Sequence, residues 1–203
     1  MILIKKQQIY AICGISAPVI FTLLVIIASL MRSDYSQTQN YVSDLGVGPF
    51  AFIQNINFVL FGILTIVMAL GLRLSLTDVK NRSTKAGVVF VVLFGLGVMF
   101  AGVFPENYLN QVPHNLVSSA AFVSIIAAQL LIWNGLRHED KTIWGRYPTY
   151  SLVSGLLSLI LVILLKVAMI YFVDYQGAFQ RLFLAVPWIW IGITGLKLYY
   201  LEK

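Results

Sequence analysis

The sequence predicts an all-α fold, a polytopic bundle of six transmembrane helices. Three observations predict it. Of 203 residues, 59% are hydrophobic and only 11% charged, against about 25% charged in an ordinary soluble domain, and mean hydropathy is +0.86. Six apolar stretches, 9–31, 50–76, 86–104, 114–136, 150–173 and 181–201, come close to or exceed the ~20 residues that a helix needs to cross a bilayer. Lys and Arg fall on alternate connections between these stretches, as topology signals do.

The chain starts with Lys5 and Lys6 ahead of an apolar run, which resembles the charged start of a signal peptide. The run exceeds the ~7–15 residues of a signal core. Ala28-Ser29-Leu30 offers a weak cleavage site, but a retained first helix is the expectation. Cys13 has no partner for an internal disulfide, and its apolar setting predicts a small buried side chain. The connection 32–49 is the longest and is too short to hold a core. Six spans leave no room for a separate soluble domain, so residues 1–203 are expected to form one integral membrane domain. Gly95, Gly97 and Gly102 in the third span predict close helix approach and a central position for it.

Residues 102–119, GVFPENYLNQVPHNLVSS, form the polar break at mid-chain. Pro113 suits the first turn of the fourth span, and Pro148 sits similarly at the fifth. Pro18 and Pro187 fall inside spans, where neighbouring helices re-satisfy the freed carbonyls. Trp133, Trp144, Trp188, Tyr147, Tyr150, Tyr199 and Tyr200 are expected mostly near the membrane interfaces.

The net charge of +6 does not signal nucleic acid, because the basic residues are scattered rather than gathered in a stripe. One side carries Lys5, Lys6, Arg73, Lys80, Arg82, Lys85, Arg137, Lys141, Arg146, Lys197 and Lys203; the other carries Arg32 and Arg181. This imbalance predicts cytoplasmic termini, a multi-pass protein of the cell membrane, and outward loops 32–49, 105–113 and 174–180. Those loops carry Asp34, Asp44, Glu106 and Asp174. Topology and attraction to anionic lipid account for the cluster Lys80, Arg82 and Lys85.

Polar side chains inside spans are functional suspects. Lys166 is expected about eight residues below the outer end of its span, hence ~12 Å deep, with Asn57 at similar depth. With Asp44, His114 and Arg181 they make a one-sided set, the candidate ligand-binding residues of an outward-facing polar pocket. The inward half offers mainly Gln129 and Asn134. His114 and Ser118 share a helix face, and with Asp44 they have the residue types of base, nucleophile and orienting acid. The alternative reading is a Ser118 bonded to its own helix backbone and a His114 that caps the interface. No metal is expected, because His114 and His138 fall on opposite sides of the membrane. No cofactor is expected, since no phosphate loop, CxxC, HExxH or GxSxG occurs.

Several short elements recur in order. They are Ser43-Asp44-Leu45-Gly46, Asn57 and Gly62, Gly102-Val103-Phe104-Pro105, His114, and Gly177 with Gln180-Arg181. On these the chain resembles the uncharacterised membrane-protein family catalogued as domain of unknown function 998. The resemblance implies a polytopic fold of about six spans and supplies no activity. Three functions stay open: a pocket that binds a lipid or small molecule, an intramembrane hydrolase or transferase acting on an outer-leaflet substrate, and an accessory subunit with a membrane-protein partner.

Overall fold

A computed structural model describes residues 6–76 and 81–201. Lys5, Lys80 and Lys203, three members of the charge count, lie outside the described residues. Six long helices carry the chain: α1 Lys6–Leu30, α2 Ala51–Ser75, α3 Arg82–Val103, α4 Val112–Leu136, α5 Tyr147–Tyr171 and α6 Gln176–Leu201. All six are long and apolar enough to cross a membrane. The protein is therefore a multi-pass integral membrane protein.

The helices begin where backbone donors can be satisfied. Asn81 accepts from the Ser83 amide at the start of α3, as an N-cap side chain does. Pro113 and Pro148 sit in the first turns of α4 and α5, where a missing N–H costs nothing. Inside α1, the Thr22 hydroxyl donates to the Pro18 carbonyl. Several helices start before their apolar runs: α1 at Lys6, α5 at Tyr147 and α6 at Gln176. Helical hydrogen bonding continues through the polar interface, so hydropathy alone sets these starts too late.

Successive helices are antiparallel neighbours, and α6 packs back on α1, so the six close into a ring. A Cβ added at Gly97 would come within 2.9 Å of the Val117 carbonyl on α4, and one at Gly195 within 2.7 Å of the Ala11 carbonyl on α1. These are contacts that only glycine permits. The ring corrects the central position expected for the third span: α3 packs on α2 and α4, and the contact across the ring joins α2 to α6. One expected belt residue, Trp188, lies at mid-helix in α6 rather than near an interface, and two that keep the level of a helix end turn inward. Trp144 and Tyr147 are buried, and the Tyr147 and Thr194 hydroxyls are 2.7 Å apart. Trp188 lies tilted against Phe21, 4.2 Å centroid to centroid, in an aromatic cluster with Phe61 inside the ring. Their apolar area outweighs the interfacial preference of their polar tips. Cys13 is half-buried rather than enclosed.

At the end of the ring that holds residues 31–50, the longest connection folds over the helix ends as a cap. It includes a helical turn, Ser43–Gly46. The cap is fastened to the start of α6. Ala178 N–H donates to Thr38 O at 3.0 Å, Tyr41 hydroxyl to Gln176 Oε1 at 2.7 Å, and Val42 N–H to Gln180 Oε1 at 2.6 Å.

Candidate functional site

Beneath the cap lies a cavity of about 120 Å³. Two helical stripes build two of its walls. On α4, His114, Ser118 and Phe122 recur every four residues; on α6, Gln180, Leu184 and Trp188 do the same. Residues four apart share one face of a helix, so each stripe runs from a polar residue at the mouth to an aromatic one at depth. Phe58 from α2 and Phe94 from α3 complete the apolar floor, and Ser43 of the cap and Glu106 close the mouth. Lys166 of α5 supplies the cation in the wall.

His114 is buried, at 4% exposure. Its Nδ1 lies 3.2 Å from Ala101 O and 2.9 Å from Phe104 O. Both partners are carbonyls, which only accept, so Nδ1 carries the proton. Nε2 then faces Glu106 Oε1 at 3.7 Å. Burial and the neighbouring Asp44 carboxyl push the Glu106 carboxyl up to about 7, while the Ser43 hydroxyl pulls it down. Glu106 thus stands between His114 and Asp44 at the cavity mouth.

Of the residues singled out from the sequence, His114, Ser118 and Lys166 line this cavity. His114 and Ser118 share a face, yet no hydrogen bond joins them among the described residues. Asp44 stands behind the wall, accepting from the Tyr41 amide at 2.9 Å and Asn40 Nδ2 at 3.1 Å. Asn57 points elsewhere: its amide donates to Phe21 O at 3.0 Å and to Gln54 Oε1 at 3.3 Å. Arg181 holds the cap, donating to Asn40 O at 2.8 Å, Gly177 O at 2.9 Å and the Tyr35 hydroxyl. Lys166 lies about five residues from the end of α5, ~8 Å deep and shallower than the sequence suggested. It is exposed and has no hydrogen-bond or ion-pair partner among the described residues.

The sequence reading missed Trp188, Phe122 and the role of Gln180, although the four-residue spacing of both stripes was visible. It also missed a second polar seam in the opposite half. Ser151, Ser154 and Ser158 of α5 are buried with Gln129 of α4 and Thr194 of α6. Trp190 Nε1 donates to Ser151 at 3.0 Å, while both Gln129 amide atoms and the Ser158 hydroxyl lack partners among the described residues. Among the described residues no cluster of three His, Cys, Asp or Glu could hold a metal ion.

A family model described as "Protein of unknown function (DUF998)" matches residues 15–197. No curated protein and no solved structure matches the chain.

Proposed function

The chain belongs to the DUF998 family, whose description carries no activity, and on that premise we propose that it is a membrane protein that binds a lipid or small molecule in the cavity beneath the cap. One observation carries this reading. The cavity grades from titratable and amide groups at its mouth (Glu106, His114, Gln180) to the rings of Phe122 and Trp188 at depth. A few convergent polar groups over an apolar floor are the usual make-up of a ligand site. The distribution of Lys and Arg supports an outward-facing mouth and cytoplasmic termini. A covalent step at Ser118 has less support, since the free ring nitrogen of His114, Nε2, faces Glu106 Oε1 at 3.7 Å and no hydrogen bond joins it to Ser118 among the described residues.

Native mass spectrometry from mild detergent tests the reading. Wild-type protein is expected to carry one tightly held adduct. Ser118→Trp, which fills the cavity from its half-buried wall, is expected to lose it while melting within a few degrees of wild type. An adduct retained equally by Ser118→Trp would sink the proposal.

A further inference from the structure

The cavity does not end at the cap. Four of its lining residues, Asn115 and Ser119 of α4 and Lys166 and Met169 of α5, are also exposed on the outer surface of the ring. Residues that belong to both surfaces mark where a cavity opens, and here the opening lies between two membrane-spanning helices. The levels agree. At 1.5 Å per residue, Asn115 and Ser119 lie ~5 and ~10 Å below the start of α4, and Lys166 ~8 Å below the end of α5. That is the depth at which headgroups give way to acyl chains. The helix that forms one side of the opening, α5, also makes the sparsest contacts with its ring neighbours.

The chemistry of the opening is that of a donor set. Lys166 is a cation with no carboxylate in reach of an ion pair among the described residues. A charge inside a span is costly unless it is paired, and intramembrane lysines mark ligand paths when they face a cavity. Glu106, the carboxyl in the same cavity, is turned toward His114 and Asp44 at the mouth. The same cavity is lined by Ser118, Ser119 and Asn115, whose hydroxyls and amide are able to donate. The cavity has room for a headgroup-sized moiety and a few carbons, and no full acyl chain fits. A molecule held here keeps its tail in the bilayer.

Resting on the reading that this cavity holds a ligand, we propose that the ligand is an amphiphile whose headgroup is net negative, its phosphate or carboxylate not balanced by a cation of its own as the phosphate of phosphatidylcholine is. It enters sideways between α4 and α5 and sets its acid against Lys166, with Ser118, Ser119 and Asn115 donating to the remaining oxygens.

The test is native mass spectrometry of the full chain in mild detergent, with equimolar phosphatidylglycerol and phosphatidylcholine of identical chains. Wild type is expected to retain phosphatidylglycerol about tenfold over phosphatidylcholine, the scale of one charge-assisted contact. Lys166→Gln is expected to lose that preference and Lys166→Arg to keep it. Equal retention of the two lipids by wild type, or a preference that survives Lys166→Gln, overturns the acidic headgroup and leaves the binding cavity standing. Retention of neither lipid, together with no native adduct, removes both proposals. Inorganic phosphate that displaces phosphatidylglycerol at comparable concentration identifies a free anion and overturns the amphiphile. Ser119→Trp, at the opening, is expected to slow exchange of bound lipid for its deuterated form several-fold; unchanged exchange overturns the lateral route.

Discussion

Glu106 shows how one side chain at the cavity mouth couples protonation to the fold. Its carboxyl stands 3.7 Å from the His114 imidazole, next to Asp44 and Ser43. Its affinity for a proton rises from the ordinary 4.5 to about 7. A group that binds its proton more tightly in the folded state stabilises that state below its unfolded pKa and loses the contribution as pH rises through the folded one. Stability from Glu106 is therefore full below about pH 4.5 and lost as pH rises through about 7, about 3 kcal/mol at most. Glu106→Gln resembles the protonated form and is expected to lack this loss. Its melting temperature should pull ahead of wild type between pH 5 and pH 8, and a constant gap would mean that another group titrates there. Glu106 was visible in the sequence as an acid in a loop between two spans. Its burial was not, because the cap that buries it comes from residues 31–50, some sixty positions earlier.

The cap itself belongs to the scale of elements. Three residues that carried the family resemblance, Gly177, Gln180 and Arg181, prove to be one half of a joint whose other half is the cap segment 35–42, just ahead of Ser43–Gly46. A Cβ at Gly177 would collide with the Asn40 carbonyl, so the loop and the first turn of α6 can touch only at a glycine. Arg181 closes the joint with donors to two carbonyls and a phenol. Hydrogen bonds from a charged donor contribute ~1.5–3 kcal/mol each, so Arg181→Ala is expected to lower the melting temperature by several degrees. A melting temperature unchanged within error would show that the joint does not hold the cap. Here the sequence misleads in an instructive way. Arg181, Asp44 and Asn57 look like ligand groups because they are polar in apolar surroundings. Much of what they bond is backbone, namely Asn40 O, the Tyr41 amide and Phe21 O, and backbone partners leave no mark in a sequence. His114 and Ser118 were legible for the opposite reason, since helical spacing alone puts them on one face.

For the whole molecule, hydropathy revealed the number and order of the spans, because each must satisfy its backbone internally and present apolar side chains to lipid. It could not reveal the ring. The helices are apolar on both their packed and their lipid-facing sides, so no periodic pattern separates the two. Orientation is open to direct test. In a Cys13→Ala background, Asp174→Cys near the cap is expected to react with a membrane-impermeant maleimide on intact cells, and Glu139→Cys only after permeabilisation. The reverse pattern would invert the topology and turn the cavity mouth toward the cytoplasm.

The closure of the ring by α6 against α1, with Gly14 meeting Gly195, sets an order of events during synthesis. The first helix is made first and enters the bilayer with one face already shaped for a neighbour about 180 residues away. Until that neighbour emerges, Gly14 and Ala11 face lipid, and the half-built ring is a horseshoe with an open flank. Long-range contacts of this kind form late and leave intermediates exposed. A chain stopped before α6 would leave the faces of α1 and α5 that α6 covers open to lipid and to quality-control proteases.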